Sequence, residues 1–167
     1  FGIPKAPTDQ PGMISGFNIA VPESRGWLKL RSANPTDKPR LLANYLATEG
    51  DKRTMRDGVK LVRDVMRQKS MARFVERDFS PGPDVKTDAE IDAWLRANTD
   101  TVFHPVGTCK MGVDEMAVVD PRLRVHGIEG LRVADASIMP VISASNTNAP
   151  TIMIAEKAAD MIKEDTA

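Results

Sequence analysis

Only two imidazoles, His104 and His126, occur among the 167 residues, and imidazole is the side chain that takes and returns protons near neutral pH. His104 sits in the run Phe103-His104-Pro105-Val106-Gly107-Thr108-Cys109-Lys110-Met111-Gly112. Pro105 disfavours helical backbone at His104, so the histidine should leave any preceding helix in extended conformation. Gly107 and Gly112 would let the chain turn close to another group. A ring held this way could accept a proton. Histidines in loops are more often structural, however, and the residues alone leave both readings standing. His126, within Val125-His126-Gly127, has the setting of a turn residue and reads as structural.

A second concentration of small and polar residues runs from Val133-Ala134-Asp135-Ala136-Ser137 through Ser143-Ala144-Ser145-Asn146-Thr147-Asn148-Ala149-Pro150. It precedes a helix, whose first turn presents unpaired N–H groups and partial positive charge. An anion or an electron-rich ring would suit that position. An ordinary capped helix packed through Ile152, Ile154, Ala155, Ala158 and Ile162 explains the same pattern. Cys109 and His126 do not make a metal site: there is no second cysteine and no ligand spacing. The nine methionines are scattered at core spacing, so no metal is expected.

These residues need elements to hold them. Residues 13–22 and 27–31 read as strands around a turn at 23–26, followed by a loop containing Asn34-Pro35 and Lys38-Pro39. Met55, Val59, Val62 and Met66 recur at helical spacing, predicting a helix from about Lys52 to Arg67. The opposite face, with Lys52, Arg53, Arg56, Asp57 and Asp64, reads as solvated. After the breaker Ser80-Pro81-Gly82-Pro83, Thr87 and Glu90 form a capping-box pattern, with Ile91, Trp94 and Leu95 as the buried stripe of a helix ending near Asn98. Short strands are expected at 123–125 and 131–134, separated by a turn at 126–130. A last helix should run from about Ala149 to Lys163, with Pro150 in its first turn and Asn148 as cap.

Composition narrows the class. The length suffices for one sizeable core, and 23 basic against 23 acidic residues give no electrostatic case for nucleic acid or an anionic membrane. No apolar run approaches the roughly 18 residues of a bilayer span, and no signal-peptide pattern opens the chain. A cytoplasmic setting is therefore the default expectation, and a single cysteine agrees with a reducing compartment. The opening, with Gly2, Pro4, Pro7, Pro11 and Gly12 and no initiator Met, suggests a piece of a longer protein; a flexible tail on a small domain is the alternative.

The segments gain meaning together. The runs 104–112, 118–127, 130–140 and 146–160, in this order and spacing, resemble the carboxy-terminal signature of the glucose-methanol-choline (GMC) oxidoreductases, nearest the choline- and alcohol-dehydrogenase members, and the likeness extends from Ser24 to Ile162. The resemblance implies an α+β fold. Residues 1–115 would belong to a substrate domain whose antiparallel sheet is flanked by helices; 116–167 would return as a strand and helix to an α/β flavin-binding domain. It also implies roles. His104 matches the residue that takes the proton from a substrate hydroxyl, and Asn146 the second active-site position, His or Asn by branch. Asp135 and Ala136 match the segment against the pyrophosphate and ribityl chain of FAD, and Asn148 and Ala149 the helix start beneath the pyrimidine side of its ring. The implied activity is oxidation of a primary alcohol, choline-like or other, to the aldehyde by an FAD-dependent dehydrogenase.

One departure matters. The Gly-x-Gly-x-x-Gly turn that cradles the cofactor's phosphates in this family is absent among the 11 glycines. The partner implied is thus a missing amino-terminal FAD-binding half, without which the chain is expected to be inactive. The alternative is a non-catalytic fragment or interaction domain that keeps the family fold without binding FAD on its own. For the substrate, Phe103 is the only aromatic residue that the motif places beside the base, and neither the alcohol nor the flavin's reoxidant can be chosen.

Overall fold

The computed structural model describes residues 11–144 and 146–166. The Pro- and Gly-rich opening up to residue 10, and Ser145, lie outside them. The described residues form two compact units, one from 11–26 with Leu42–Val102, the other from Trp27–Leu41 with 103–166. The architecture is α+β: four helices and a two-stranded antiparallel sheet. Among the described residues no helix is long and apolar enough to cross a membrane.

In the first unit, α1 (Glu49–Met66) starts three residues before the apolar stripe suggests, because Thr48 caps it through the amide of Asp51. Met55 and Val59 are buried and Val62 and Met66 half-buried, as the spacing predicts. A single turn, α2 (Lys69–Ala72), follows. α3 (Asp88–Asn98) opens on the full capping box: Thr87 Oγ1 accepts from the Glu90 amide, and Glu90 Oε2 from the Thr87 amide at 2.8 Å. Ile91 and Leu95 close the core against Met55 and Val59, with Phe17, Ile19, Leu46, Val85 and Trp94 at its margin.

Two sequence expectations change here. Residues 13–22 are irregular, not a strand. A strand exists only through a ladder to a neighbour, and this segment instead packs Phe17 and Ile19 against the helices while Met13, Ile14 and Val21 stay exposed. The Phe17 ring lies so near α1 that a Cβ on Gly58 would stand 2.4 Å from it, which is why glycine is tolerated in mid-helix. The charged face of α1 is only partly solvated. Arg56 reaches Glu49 at 2.6 Å and Asp92 at 2.7 Å, while Arg63 binds Asp78 and the carbonyls of Gly82 and Val85, pinning the breaker segment.

Asp51 is the polar keystone of this unit. It is buried, and its two oxygens accept the amides of Glu23 at 2.9 Å and Ser24 at 2.8 Å. Burial alone would push its carboxyl up; the hydrogen bonds from Ser24 and Glu23, with Thr48, outweigh that and hold it below the ordinary aspartate value. A lowered folded value means that the stabilisation is complete above the ordinary value of 3.8 and is lost as pH falls through the folded one. Asp51→Asn, which turns an NH2 toward one of the two amides, should cost about 1–3 kcal/mol at neutral pH. It should also flatten the acid limb of stability. Urea unfolding at several pH values checks this, and equal midpoints at neutral pH would show that the amides find other acceptors.

β1 (Trp27–Lys29) pairs with β2 (Arg40–Leu42), in a stretch where the sequence predicts a loop. The expected strands at 123–125 and 131–134 reduce to single bridges, Val119 with Val125 and Arg124 with Arg132. Leu123, buried at φ 66°, twists the chain too sharply for a longer ladder. The core is Val119, Leu123, Ile138, Met139, Ile154 and Ala158, the last two from α4 (Asn148–Thr166). At the far end of α4, Arg122 bonds Glu164 and Asp165, and Arg132 bonds Asp165, tying the helix to the bridged loops.

Candidate active site

His104 follows Phe103, whose φ of 60° is the left-handed region that an aromatic residue seldom adopts. That bend swings the chain so that the residues after His104 run along a short 3-10 turn, Ala136–Ile138: the amide of Cys109 bonds the Ser137 carbonyl at 3.0 Å, and that of Met111 the Ile138 carbonyl at 2.8 Å. Gly107, at φ 86°, makes the tight passage beside the Met139 carbonyl that the sequence anticipates. Gly112 does not use that region; its bare Cα leaves room for the Asp114 carboxylate, which a Cβ would meet at 2.9 Å. On its other side the segment is held by Val118 and Val119.

The 3-10 turn begins at Asp135, which is exposed and accepts the Ser137 amide at 2.7 Å. Ala136 is half-buried against the core, and Ile138 packs with Ile154 and Ala158 of α4. The turn carrying Asp135 and Ala136, the His104 loop and the start of α4 therefore share one core. Asn148 and Ala149 are exposed in the first turn of α4. Asn148 is the first helical residue and not the cap: Asn146 Oδ1 accepts its amide at 3.0 Å. That bond orients the Asn146 side chain, and among the described residues its Nδ2 has no hydrogen-bond partner.

The link between the two candidate segments is a residue the sequence reading passed over. Thr147 is buried, and its Oγ1 lies 2.8 Å from His104 Nδ1 across 43 positions of sequence. His104 is half-buried, and with Nδ1 engaged its remaining ring nitrogen is Nε2. Among the described residues no hydrogen bond joins His104 directly to Asn146; the two are neighbours through Thr147. The signal for Thr147 lies in the Asn146-Thr147-Asn148-Ala149-Pro150 run, where Pro150 removes one of the two amides that a capping threonine could engage.

His126 is structural, as the sequence suggests: its amide bonds the Val118 carbonyl and its Nε2 lies 3.1 Å from the Gly112 carbonyl. Cys109 is a half-buried free thiol, and among the described residues no three His, Cys, Asp or Glu side chains come together as a metal site.

Comparison with known proteins agrees with this architecture. The carboxy-terminal model of the GMC oxidoreductase family matches residues 22–155. An oxygen-dependent choline dehydrogenase of Burkholderia lata is 56% identical over 140 residues, which cover 84% of this chain and 25% of the relative. Among solved structures, pyridoxine 4-oxidase from Mesorbium loti superposes with a TM-score of 0.81 at 33% identity, over 87% of this chain and 28% of that one. A formate oxidase from Aspergillus oryzae, studied for modification of its FAD, gives a TM-score of 0.79 at 34% identity, over 84% of this chain and 25% of its own. The chain belongs to the GMC oxidoreductase family. It spans about a quarter of the length of the curated relatives it matches.

Proposed function

We propose that this chain is the carboxy-terminal part of an FAD-dependent oxidoreductase that converts a primary alcohol of the choline type to its aldehyde, with His104 as the base and Asn146 beside it. The observation that carries the reading is the 2.8 Å contact between His104 Nδ1 and Thr147 Oγ1, which brings a loop histidine to the helix start that bears Asn146. On the family template, 1–115 is the substrate-domain portion and 116–167 the return to the flavin domain.

The cofactor fits what these residues offer. Ala149 and Asn148 present an exposed, small and polar first turn at the positive end of a 19-residue helix, suited to the electron-rich edge of a flavin ring. Asp135, an exposed carboxylate beside Ala136, suits the hydroxyl donors of a ribityl chain. When bound, FAD supplies the two-electron acceptor for the hydride that leaves the carbinol carbon. The chain's own part is the other half of the reaction. His104 Nε2 takes the hydroxyl proton as the C–O bond becomes a carbonyl, and Asn146 Nδ2 donates a hydrogen bond to the same oxygen. Phe103, the aromatic residue that the motif places beside the base, is exposed. The likeness to the Burkholderia lata choline dehydrogenase supports choline as the first substrate to try.

The longer protein containing this sequence should purify yellow, and anaerobic mixing with choline should bleach its flavin absorbance. No bleaching by choline or any other primary alcohol would overturn the assignment. The 167-residue chain by itself should purify colourless, because its candidate contacts reach only parts of the cofactor and include no Gly-x-Gly-x-x-Gly turn. Stoichiometric flavin retained through gel filtration would show that the α4 start and the Asp135 turn suffice.

A further inference from the structure

We propose that Thr147 is a positioning residue for His104: its hydroxyl accepts a hydrogen bond from Nδ1–H and so fixes the tautomer whose Nε2 lone pair faces outward. The proposal rests on the reading of His104 as base. It stands on three observations. Thr147 Oγ1 lies 2.8 Å from Nδ1, and the residue is only 7% exposed, so bulk water does not readily take either partner's place. The hydroxyl is engaged with His104 and not with the amide its position would favour. A threonine preceding a helix normally accepts an amide from the second or third helical residue; here the third is Pro150, which has no N–H, and the bond that Thr147 Oγ1 makes is to His104 Nδ1. The carbonyl of Thr147 accepts from the amide of Thr151 at 3.0 Å and from its hydroxyl at 2.7 Å, which anchors the residue in the first turn. Its branched side chain has few rotamers to lose.

A hydroxyl can donate or accept, so it tolerates His104 before and after proton uptake, but only the accepting arrangement leaves Nε2 able to take a proton. Without Thr147 the two tautomers compete and the ring can turn. The consequence is a slower proton transfer with unchanged substrate binding.

The test uses the flavin-loaded longer protein and anaerobic reduction of its flavin by choline. Thr147→Val should slow reduction about tenfold, in line with loss of one buried hydrogen bond, with little change in the substrate concentration for half-maximal rate. Thr147→Ser should recover to within about threefold of the parent. In a His104→Ala background Thr147→Val should have no further effect, since a residue acting through another is not additive with it. An unchanged rate in Thr147→Val, or an equal loss in both backgrounds, overturns the positioning role while leaving His104 as base. A His104→Ala variant within threefold of the parent overturns both. Should Thr147→Val fail to fold, nitrogen-15 histidine spectra of the parent decide: Nδ1 protonated at His104 is expected, and Nε2 protonated in the resting protein overturns the proposal.

Discussion

His104→Ala in the flavin-loaded longer protein is expected to lower turnover by about 10²- to 10⁴-fold, the usual worth of a positioned general base. Flavin content should stay near that of the parent, because the side chain is held by Thr147 and not by the turn at Asp135 or the exposed first turn of α4. Removing the ring strands the buried Thr147 hydroxyl, so a small loss of stability, about 1 kcal/mol, should accompany the kinetic one. The separation of those two magnitudes is the point of the experiment. A histidine that only completed the packing of its loop would lower the melting temperature and leave turnover per folded, flavin-bearing molecule alone. Turnover within about threefold of the parent would return His104 to a structural role and send the search for a base elsewhere.

How much of this could be read from residues alone varies with the range of the interaction that decides each feature. The capping box at Thr87 and Glu90 and the Met55–Val59 stripe are local patterns, and they appear in the structure as written. Residues 13–22 have the composition of a strand but no ladder, and β2 at Arg40–Leu42 sits among prolines that argue against it. Pairing of strands is decided by what lies opposite, which periodicity does not report. Asp51 shows the same limit in polar form: it lies just before the helix that the spacing predicts, yet it is buried and accepts the amides of Glu23 and Ser24, 27 or more positions away. At the site, the resemblance points to His104 and Asn146, whereas the contact between their segments spans 43 positions and leaves no local pattern. Thr147 escapes the sequence because the pattern puts the cap on Asn148, whereas in the structure Asn146 Oδ1 accepts the Asn148 amide and Thr147 faces His104.

The capping bond makes Asn146 a residue with two ends, and substitutions can address them separately. Its Oδ1 accepts the Asn148 amide, a structural bond, while Nδ2 is the end proposed to meet the substrate oxygen. Asn146→Ala removes both. It should lower stability by about 1 kcal/mol through the lost cap and kcat/KM by one to two decades, equivalent to about 1–3 kcal/mol of transition-state stabilisation. Asn146→Asp keeps the acceptor and adds negative charge at the positive end of α4, so the protein should be at least as stable as the parent. Its activity should nevertheless fall below that of the alanine variant. The donor is gone, and a carboxylate beside an oxygen that gains negative charge as its proton leaves opposes that charge. Asn146→His restores a donor from nearly the same place and should retain more activity than alanine. Steady-state kinetics and melting temperatures of the three variants, at one pH with flavin loading measured for each, put stability and activity on different orders of rank. The aspartate variant carries the decision, being the most stable and least active of the three if Nδ2 faces the reacting oxygen. Were it as active as the parent, Asn146 would be a helix cap and nothing more, and proton removal by His104 would have to proceed without it.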